Sequence, residues 1–326
     1  MPMSSVHITP EAITRAAERI APHVHRTPLW RLPSRALKLP DGAPAFEVWL
    51  KLEHLQRSGS FKARGMFNRL LSQPIPAAGV IVASGGNAGI ATAVAADALG
   101  VRAEVFVPAL ISPAKRARLE ALGAQVVVGG AAYAEALQAC EARQRETGAL
   151  MTHAYDQPEV LAGAGTLARE IELDGGTPDT VLVSVGGGGL VGGIAAWFAG
   201  RSRVVALEPE TAPTLHSARA AGAPVDVSVS GIAADSLGAR RIGKLAWPIT
   251  QQHVAQALLL SDAAIREAQL FLWQEWRLAV EPAAALPLAA LRTSAYQPRE
   301  GERVCLVVCG ANLDPATLAA LPTPEG

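Results

Sequence analysis

Thr180-Val181-Leu182-Val183-Ser184-Val185-Gly186-Gly187-Gly188-Gly189-Leu190-Val191-Gly192-Gly193-Ile194-Ala195-Ala196-Trp197-Phe198 is the stretch whose reading decides the fold. Thr180 to Val185 is a short apolar run rich in β-branched residues, as a buried parallel strand requires. Gly186 to Gly189 is a turn, and Leu190 to Phe198 reads as a helix. Arg203 to Leu207 is the next strand, closed by Glu208-Pro209. Strand, glycine turn, helix, strand is the βαβ unit, which builds parallel sheets covered by helices.

A second unit lies upstream. Val80 to Ala83 is a strand, Ser84-Gly85-Gly86-Asn87 a glycine-rich turn, and an Ala-rich helix runs to Leu99 before Gly100. Ala103 to Val107 follows as a strand. Further pieces fit the same class: a helix at 115–122, a strand at 125–128, a helix at 132–146, and the apolar run Val304 to Cys309. Near the start, Thr9-Pro10-Glu11 has an N-cap hydroxyl, Pro at the first helical position and an acid in the first turn, so a helix runs from there to about Ile20. Two glycine turns of this kind predict an α/β chain of two domains facing one cleft.

Composition narrows the ligand. The 326 residues carry 29 Lys+Arg against 29 Asp+Glu, which leaves no basic footprint for nucleic acid or an anionic membrane surface. The three cysteines make no disulfide framework, and Cys305 and Cys309 are not spaced as a metal pair. No basic-then-apolar leader is visible in residues 1–21, and no apolar stretch reaches the ~20 residues of a membrane span. The expectation is a small-molecule ligand in a reducing cytoplasm.

The glycine run offers backbone N–H groups without a Cβ in the way, at the positive end of a helix, which suits a phosphate. A tight turn without ligand would explain one glycine; four in succession cost enough conformational freedom that phosphate binding is the better reading. Gly187-x-Gly189-x-x-Gly192 also matches the dinucleotide fingerprint, with Glu208 as the acid after the next strand. A nicotinamide-dependent dehydrogenase is therefore a rival. A binding module without catalysis is another.

Lys51-Leu52-Glu53-His54-Leu55-Gln56-Arg57-Ser58-Gly59-Ser60-Phe61-Lys62-Ala63-Arg64-Gly65 speaks against both, since neither has a use for Lys62. A random lysine is a solvated surface group. This one follows Phe61 at a helix start, where partial burial lowers an amine's pKa and leaves it nucleophilic.

The segment resembles the active-site stretch of the pyridoxal-phosphate-dependent serine/threonine dehydratase family, of fold type II, which includes serine racemase. Ser60-Phe61-Lys62-Ala63-Arg64-Gly65, Ser84-Gly85-Gly86-Asn87-Ala88-Gly89, Thr152-His153-Ala154-Tyr155-Asp156, the glycine run with Leu190, Glu281-Pro282 and Cys309-Gly310-Ala311-Asn312 match it in family order. The resemblance implies two α/β domains with mostly parallel sheets and the active site between them. Residues 1–70 and 151–326 would form the larger, cofactor-binding domain, and 71–150 the smaller one; a homodimer is implied too.

By the same resemblance Lys62 holds the cofactor as a Schiff base and then removes the substrate Cα proton. Phe61 packs on the pyridine face, Asn87 hydrogen-bonds the ring hydroxyl, and Gly186 to Leu190 bind the phosphate. Ser84, with Gly85, Gly86, Asn87 and Ala88, grips the substrate carboxylate. Cys309 falls opposite the pyridine nitrogen, where a neutral thiol stabilises a carbanion less than an Asp would; this suits β-elimination. The implied reaction converts serine to pyruvate, or threonine to 2-oxobutanoate, with release of ammonia.

Gly85 stands where racemising members carry a second serine, so weak racemisation is expected. Glu208, Ala212 and Thr214 fall at the family's cation site. Thr214 replaces a second carboxylate there, which favours a monovalent ion such as K⁺ over a divalent one. A capped loop without metal explains the same three residues nearly as well. Gly231 to Gly243 resembles a loop over the site, in which Asp235 has no assigned role. Threonine synthase, cysteine synthase, racemase, or a dehydratase of a bulkier 3-hydroxy amino acid would share Lys62 and the phosphate loop.

Overall fold

Two separate sheets, each all or mostly parallel, carry the chain. A computed structural model describes residues 8–40, 42–131 and 133–319. Residues 1–7, part of the stretch read as lacking a leader, and Ala132, the expected start of a helix, lie outside the described residues. The larger sheet holds β1 (Leu29–Pro33), β2 (Glu47–Lys51), β7 (Thr180–Ser184), β8 (Arg203–Pro209), β9 (Val254–Leu260) and β10 (Arg303–Val307). The smaller holds β3 (Val80–Ala83), β4 (Ala103–Val107), β5 (Gln125–Val128) and β6 (Leu150–Thr152). Their orders are β1-β2-β10-β7-β8-β9 and β5-β4-β3-β6. Only β1 runs antiparallel to its neighbour.

The helices follow from caps and apolar faces. Thr9 caps α1 (Pro10–Ile20), its hydroxyl accepting from Ala12 N at 3.2 Å. Ser112 caps α4 (Pro113–Ala121) in the same way. Between them lie α2 (Lys62–Leu71) and α3 (Asn87–Ala98); α5 (Tyr133–Thr147), α6 (Pro158–Gly175) and α7 (Gly189–Phe198) follow. The chain continues through α8 (Thr214–Ala221), α9 (Ala246–His253), α10 (Asp262–Trp276) and α11 (Pro282–Arg292).

One apolar core joins the larger sheet to α6, α7, α10 and α11. A second joins β3 and β4 to α3 and to Ala63, Met66, Phe67 and Leu70 of α2. Lys62 thus begins a helix whose apolar face is fixed in the second core. At the other end of the same segment, Ser60 bridges Gly310, and Phe61 N donates to Cys309 O at 3.0 Å, tying it to β10. The carboxyl ends of β3, β7 and β10 converge here, where open parallel sheets hold their ligands. No described helix is long and apolar enough to cross a membrane.

Candidate active site

Phe61, Lys62, Asn87, Tyr155, Ser184, Gly186 to Leu190, Ser236, Leu237, Glu281, Ala283 and Cys309 line one cleft. It brings together the expected lysine, phosphate loop, Asn87 and Cys309 from distant parts of the sequence.

Lys62 Nζ donates to Ala154 O at 2.9 Å and sits 4.9 Å from the Phe61 ring centroid. Burial lowers its pKa to about 8, against the opposing pull of Cys309 and Glu281. A sizeable neutral fraction is the consequence near physiological pH. The Cys309 thiol is pushed well up, by burial first and by Glu281 next, so it stays protonated and neutral. No anionic partner for a ring nitrogen is offered at that position.

The glycine loop passes the test of an anion cradle. The N–H groups of Gly186, Gly187 and Gly188 donate to no protein acceptor among the described residues, and the first turn of α7 adds N–H groups without intrahelical partners. Gly188 has φ +89°, which favours glycine, and a Cβ on Gly187 would run into the Tyr155 ring. Tyr155 therefore roofs the loop. His153 braces that roof, its Nδ1 accepting from Asp156 N at 2.9 Å and Tyr155 N at 3.2 Å. Asp156 in turn accepts from Leu245 N at 2.9 Å and Lys244 N at 3.0 Å.

The Ser84 loop stands at the end of β3. Ser84 Oγ accepts from Gly86 N at 3.3 Å, and Gly89 is forced by the Ser84 carbonyl, which a Cβ would overlap. Ser84, Gly85 and Gly86 lie outside the innermost lining, and the Ala88 side chain is buried in the second core. Ala88 therefore offers the cleft no side chain.

Asn87 has partners that its motif does not reveal. Its Nδ2 donates to Glu281 Oε1 at 2.8 Å and Oε2 at 3.0 Å, and its Oδ1 accepts from Asn312 Nδ2 at 2.5 Å. Burial raises the Glu281 carboxyl to about 7, although the Asn87 hydrogen bond and the Lys62 and Lys115 charges pull it down. Asp235 pairs with Lys115.

Glu208 sits behind the loop and caps α8. It accepts from Leu215 N at 2.7 Å and His216 N at 2.8 Å, and its Oε1 lies 2.9 Å from Thr214 Oγ1. Thr214 Oγ1 also lies 2.6 Å from Gly186 O. The described residues contain no cluster of three or more His, Cys, Asp or Glu arranged for a metal. A carboxylate so occupied is poorly placed to take a ribose hydroxyl, which removes the acid that the dehydrogenase reading needs.

Tyr155, Ser184, Ser236, Glu281 and Asn312 join the site without a role predicted for them. Tyr155, Glu281 and Asn312 stood inside recognisable motifs; Ser184, the last residue of β7, gave no signal of its own.

Comparison with known proteins shows the family. Residues 20–310 match the family described as pyridoxal-phosphate dependent enzyme. An L-threonine ammonia-lyase of Geobacter sulfurreducens is 36% identical over 95% of this chain and 77% of its own length. An L-threo-3-hydroxyaspartate ammonia-lyase of Pseudomonas sp is 34% identical over 98% and 99%. Maize serine racemase superposes with a TM-score of 0.87 at 29% identity, covering 95% of each chain.

Proposed function

The chain belongs to the pyridoxal-phosphate dependent enzyme family, and from that premise we propose an ammonia-lyase that converts L-threonine, L-serine or both to a 2-oxo acid and ammonia. The observation that carries the reading is Lys62: a nucleophilic amine in a cleft whose glycine loop has N–H groups to spare. When bound, pyridoxal phosphate supplies an aldehyde for the substrate amine and a conjugated ring that spreads the charge left at Cα. Gly186 to Leu190 would hold its phosphate, Phe61 its ring face, and the Cys309 thiol its ring nitrogen.

Lys62 Nζ serves twice, as the attacking amine and as the base that takes the Cα proton. The cleft wall selects which substrate enters. Lys115 is already paired with Asp235 and so is not free to receive a second carboxylate on the substrate. The Tyr155 ring over Gly187 limits bulk. Both features support a small neutral 3-hydroxy amino acid over 3-hydroxyaspartate. The reading extends to two units, 71–150 and the remainder, facing one another across the cleft in a cytoplasmic homodimer; the family resemblance supports this. A monovalent cation beside Glu208 has the weaker support, because it must compete with two backbone hydrogen bonds.

Borohydride reduction of the reconstituted protein should fix a pyridoxyl group on Lys62, found by peptide mass spectrometry. Ammonia release from a panel of amino acids should rank threonine and serine first. No adduct on Lys62 sinks the proposal. The rate of adduct formation should also rise with pH and level off above about 8, since the ammonium form below that value cannot attack.

Racemisation should be weak, because Gly85 has no hydroxyl to deliver a proton. A chiral assay is expected to show pyruvate far ahead of D-serine. Gly85→Ser should raise D-serine formation only modestly: its Cβ would meet Ile111 Cδ1 at 3.0 Å and Val107 Cγ1 at 3.3 Å, so Ile111 must shift first. Wild-type D-serine formation rivalling that of pyruvate refutes the assignment.

A further inference from the structure

Glu281 is the N-cap residue of α11, yet its side chain caps nothing. It turns instead to Asn87, the first residue of α3, and presses so closely on Gly310 that any Cβ there would overlap Oε1. The side chain is nearly enclosed, at 4% exposure. A carboxyl group costs free energy when buried and must have a use for its hydrogen bonds.

Asn87 is held at both ends of its amide. Asn312 donates to the oxygen and Glu281 accepts from the nitrogen, so a flipped amide would set donor against donor and acceptor against acceptor. Both Glu281 oxygens lie within 3.0 Å of the one nitrogen. The two N–H bonds of an amide diverge by about 120°, far more than the two oxygens of a carboxyl seen from that distance. One N–H is therefore shared by the pair, and the second remains for the cleft that Asn87 lines.

We propose that Glu281 is a positioning residue: with Asn312 it clamps the Asn87 amide so that one N–H serves an anionic oxygen of the bound cofactor, and it takes up a proton as that oxygen arrives. This rests on reading the cleft as the cofactor pocket. The titratable groups facing Glu281 are Lys62 of α2, Lys115 of α4, Asp235 of the 231–243 loop and the neutral Cys309 thiol after β10. Asp235 and burial oppose a second negative charge there; Lys115 is committed to Asp235. A proton on Glu281 relieves the repulsion, and its neutral carbonyl still accepts from Asn87.

The test uses the apo-protein and pyridoxine 5′-phosphate, which has the ring hydroxyl and phosphate but no aldehyde, so Lys62 chemistry is excluded. Affinity is measured by fluorescence from pH 6 to 9 for wild type, Glu281→Gln, Glu281→Ala and Asn312→Ala, with thermal melts as a control for folding. Wild-type affinity should fall above pH 7 more steeply than that of Glu281→Gln, by up to about tenfold per pH unit for one proton. Glu281→Ala and Asn312→Ala should bind about tenfold more weakly at pH 7, as expected for a hydrogen bond no longer held in place. Identical pH slopes in wild type and Glu281→Gln, or undiminished affinity in Asn312→Ala, overturn the clamp while leaving the pocket standing. Wild type that binds no pyridoxine 5′-phosphate and forms no Lys62 adduct overturns clamp and pocket together.

Discussion

Lys62→Ala is expected to lower ammonia release by at least about 10³-fold, the loss typical when a positioned proton-transfer group is removed, and to abolish the borohydride-fixed adduct. Its fold should survive. The amine makes one hydrogen bond, to Ala154 O, and burial already penalises its charged form, so truncation removes a cost along with a contact. The melting temperature should be unchanged or slightly higher. Lys62→Arg should be as inactive as alanine despite its charge, because a guanidinium cannot shed its proton to attack or to act as a base. Small primary amines added to Lys62→Ala should restore part of the lost rate, since they supply the missing group in the space it vacates. Turnover of Lys62→Ala within tenfold of wild type would remove the lysine from the mechanism.

The parts of this site legible in the sequence are those whose chemistry is local. β7, its glycine turn and α7 form one continuous segment, and each states its state by composition: a β-branched run, four residues without Cβ, an apolar helix. Lys62 stood out for the same reason, with Phe61 before it and a helix after it. β9 was not legible, because Val254-Ala-Gln-Ala-Leu-Leu-Leu260 is rich in good helix formers; pairing with β8 along its length overrides that preference. β1 is an edge strand with three of its five residues exposed, and β6 has only three residues, so neither shows an apolar alternation.

Long-range partnerships were hidden altogether. Glu281 and Asn87 are 194 positions apart, and no spacing rule links them. Glu208 illustrates the converse. A carboxylate after a strand looks equally like a ribose ligand, a cation ligand or a helix cap until its hydrogen bonds are traced, and here two backbone donors from the start of α8 occupy it.

Arg64→Ala is expected to destabilise the fold by about 3–5 kcal/mol, the range for breaking a buried pair from one side, read as a shift of the urea midpoint. Arg64 is fully enclosed, two residues after Lys62. Its Nε and Nη2 meet the two Glu53 oxygens at 2.8 Å each; Nη1 and Nη2 meet Glu170 at 2.7 and 2.8 Å. Lys51 Nζ completes the set 2.6 Å from Glu170 Oε2, and the Thr27 hydroxyl donates to Glu53 Oε1 at 2.5 Å. Two cations balance two carboxylates, so removing Arg64 strands the Glu53 charge with no water to receive it. The effect must depend on pH. Burial alone would raise the Glu53 pKa, but Arg64, with Lys51 and Thr27, overcomes it and holds the carboxyl below its ordinary value. The stabilisation from Glu53 is thus complete above the ordinary carboxylate range and is lost as pH falls through the lowered folded-state pKa. In the alanine variant the largest restraining charge is gone, burial prevails, and protonation of Glu53 favours the folded state. The gap between wild type and variant should therefore be widest near neutrality and narrow steadily as the medium is acidified. A gap below about 1 kcal/mol, the value of an exposed ion pair, or one that ignores pH would mean that α2 is held in register by its apolar face alone and that the lysine at its head owes nothing to the charges beneath it.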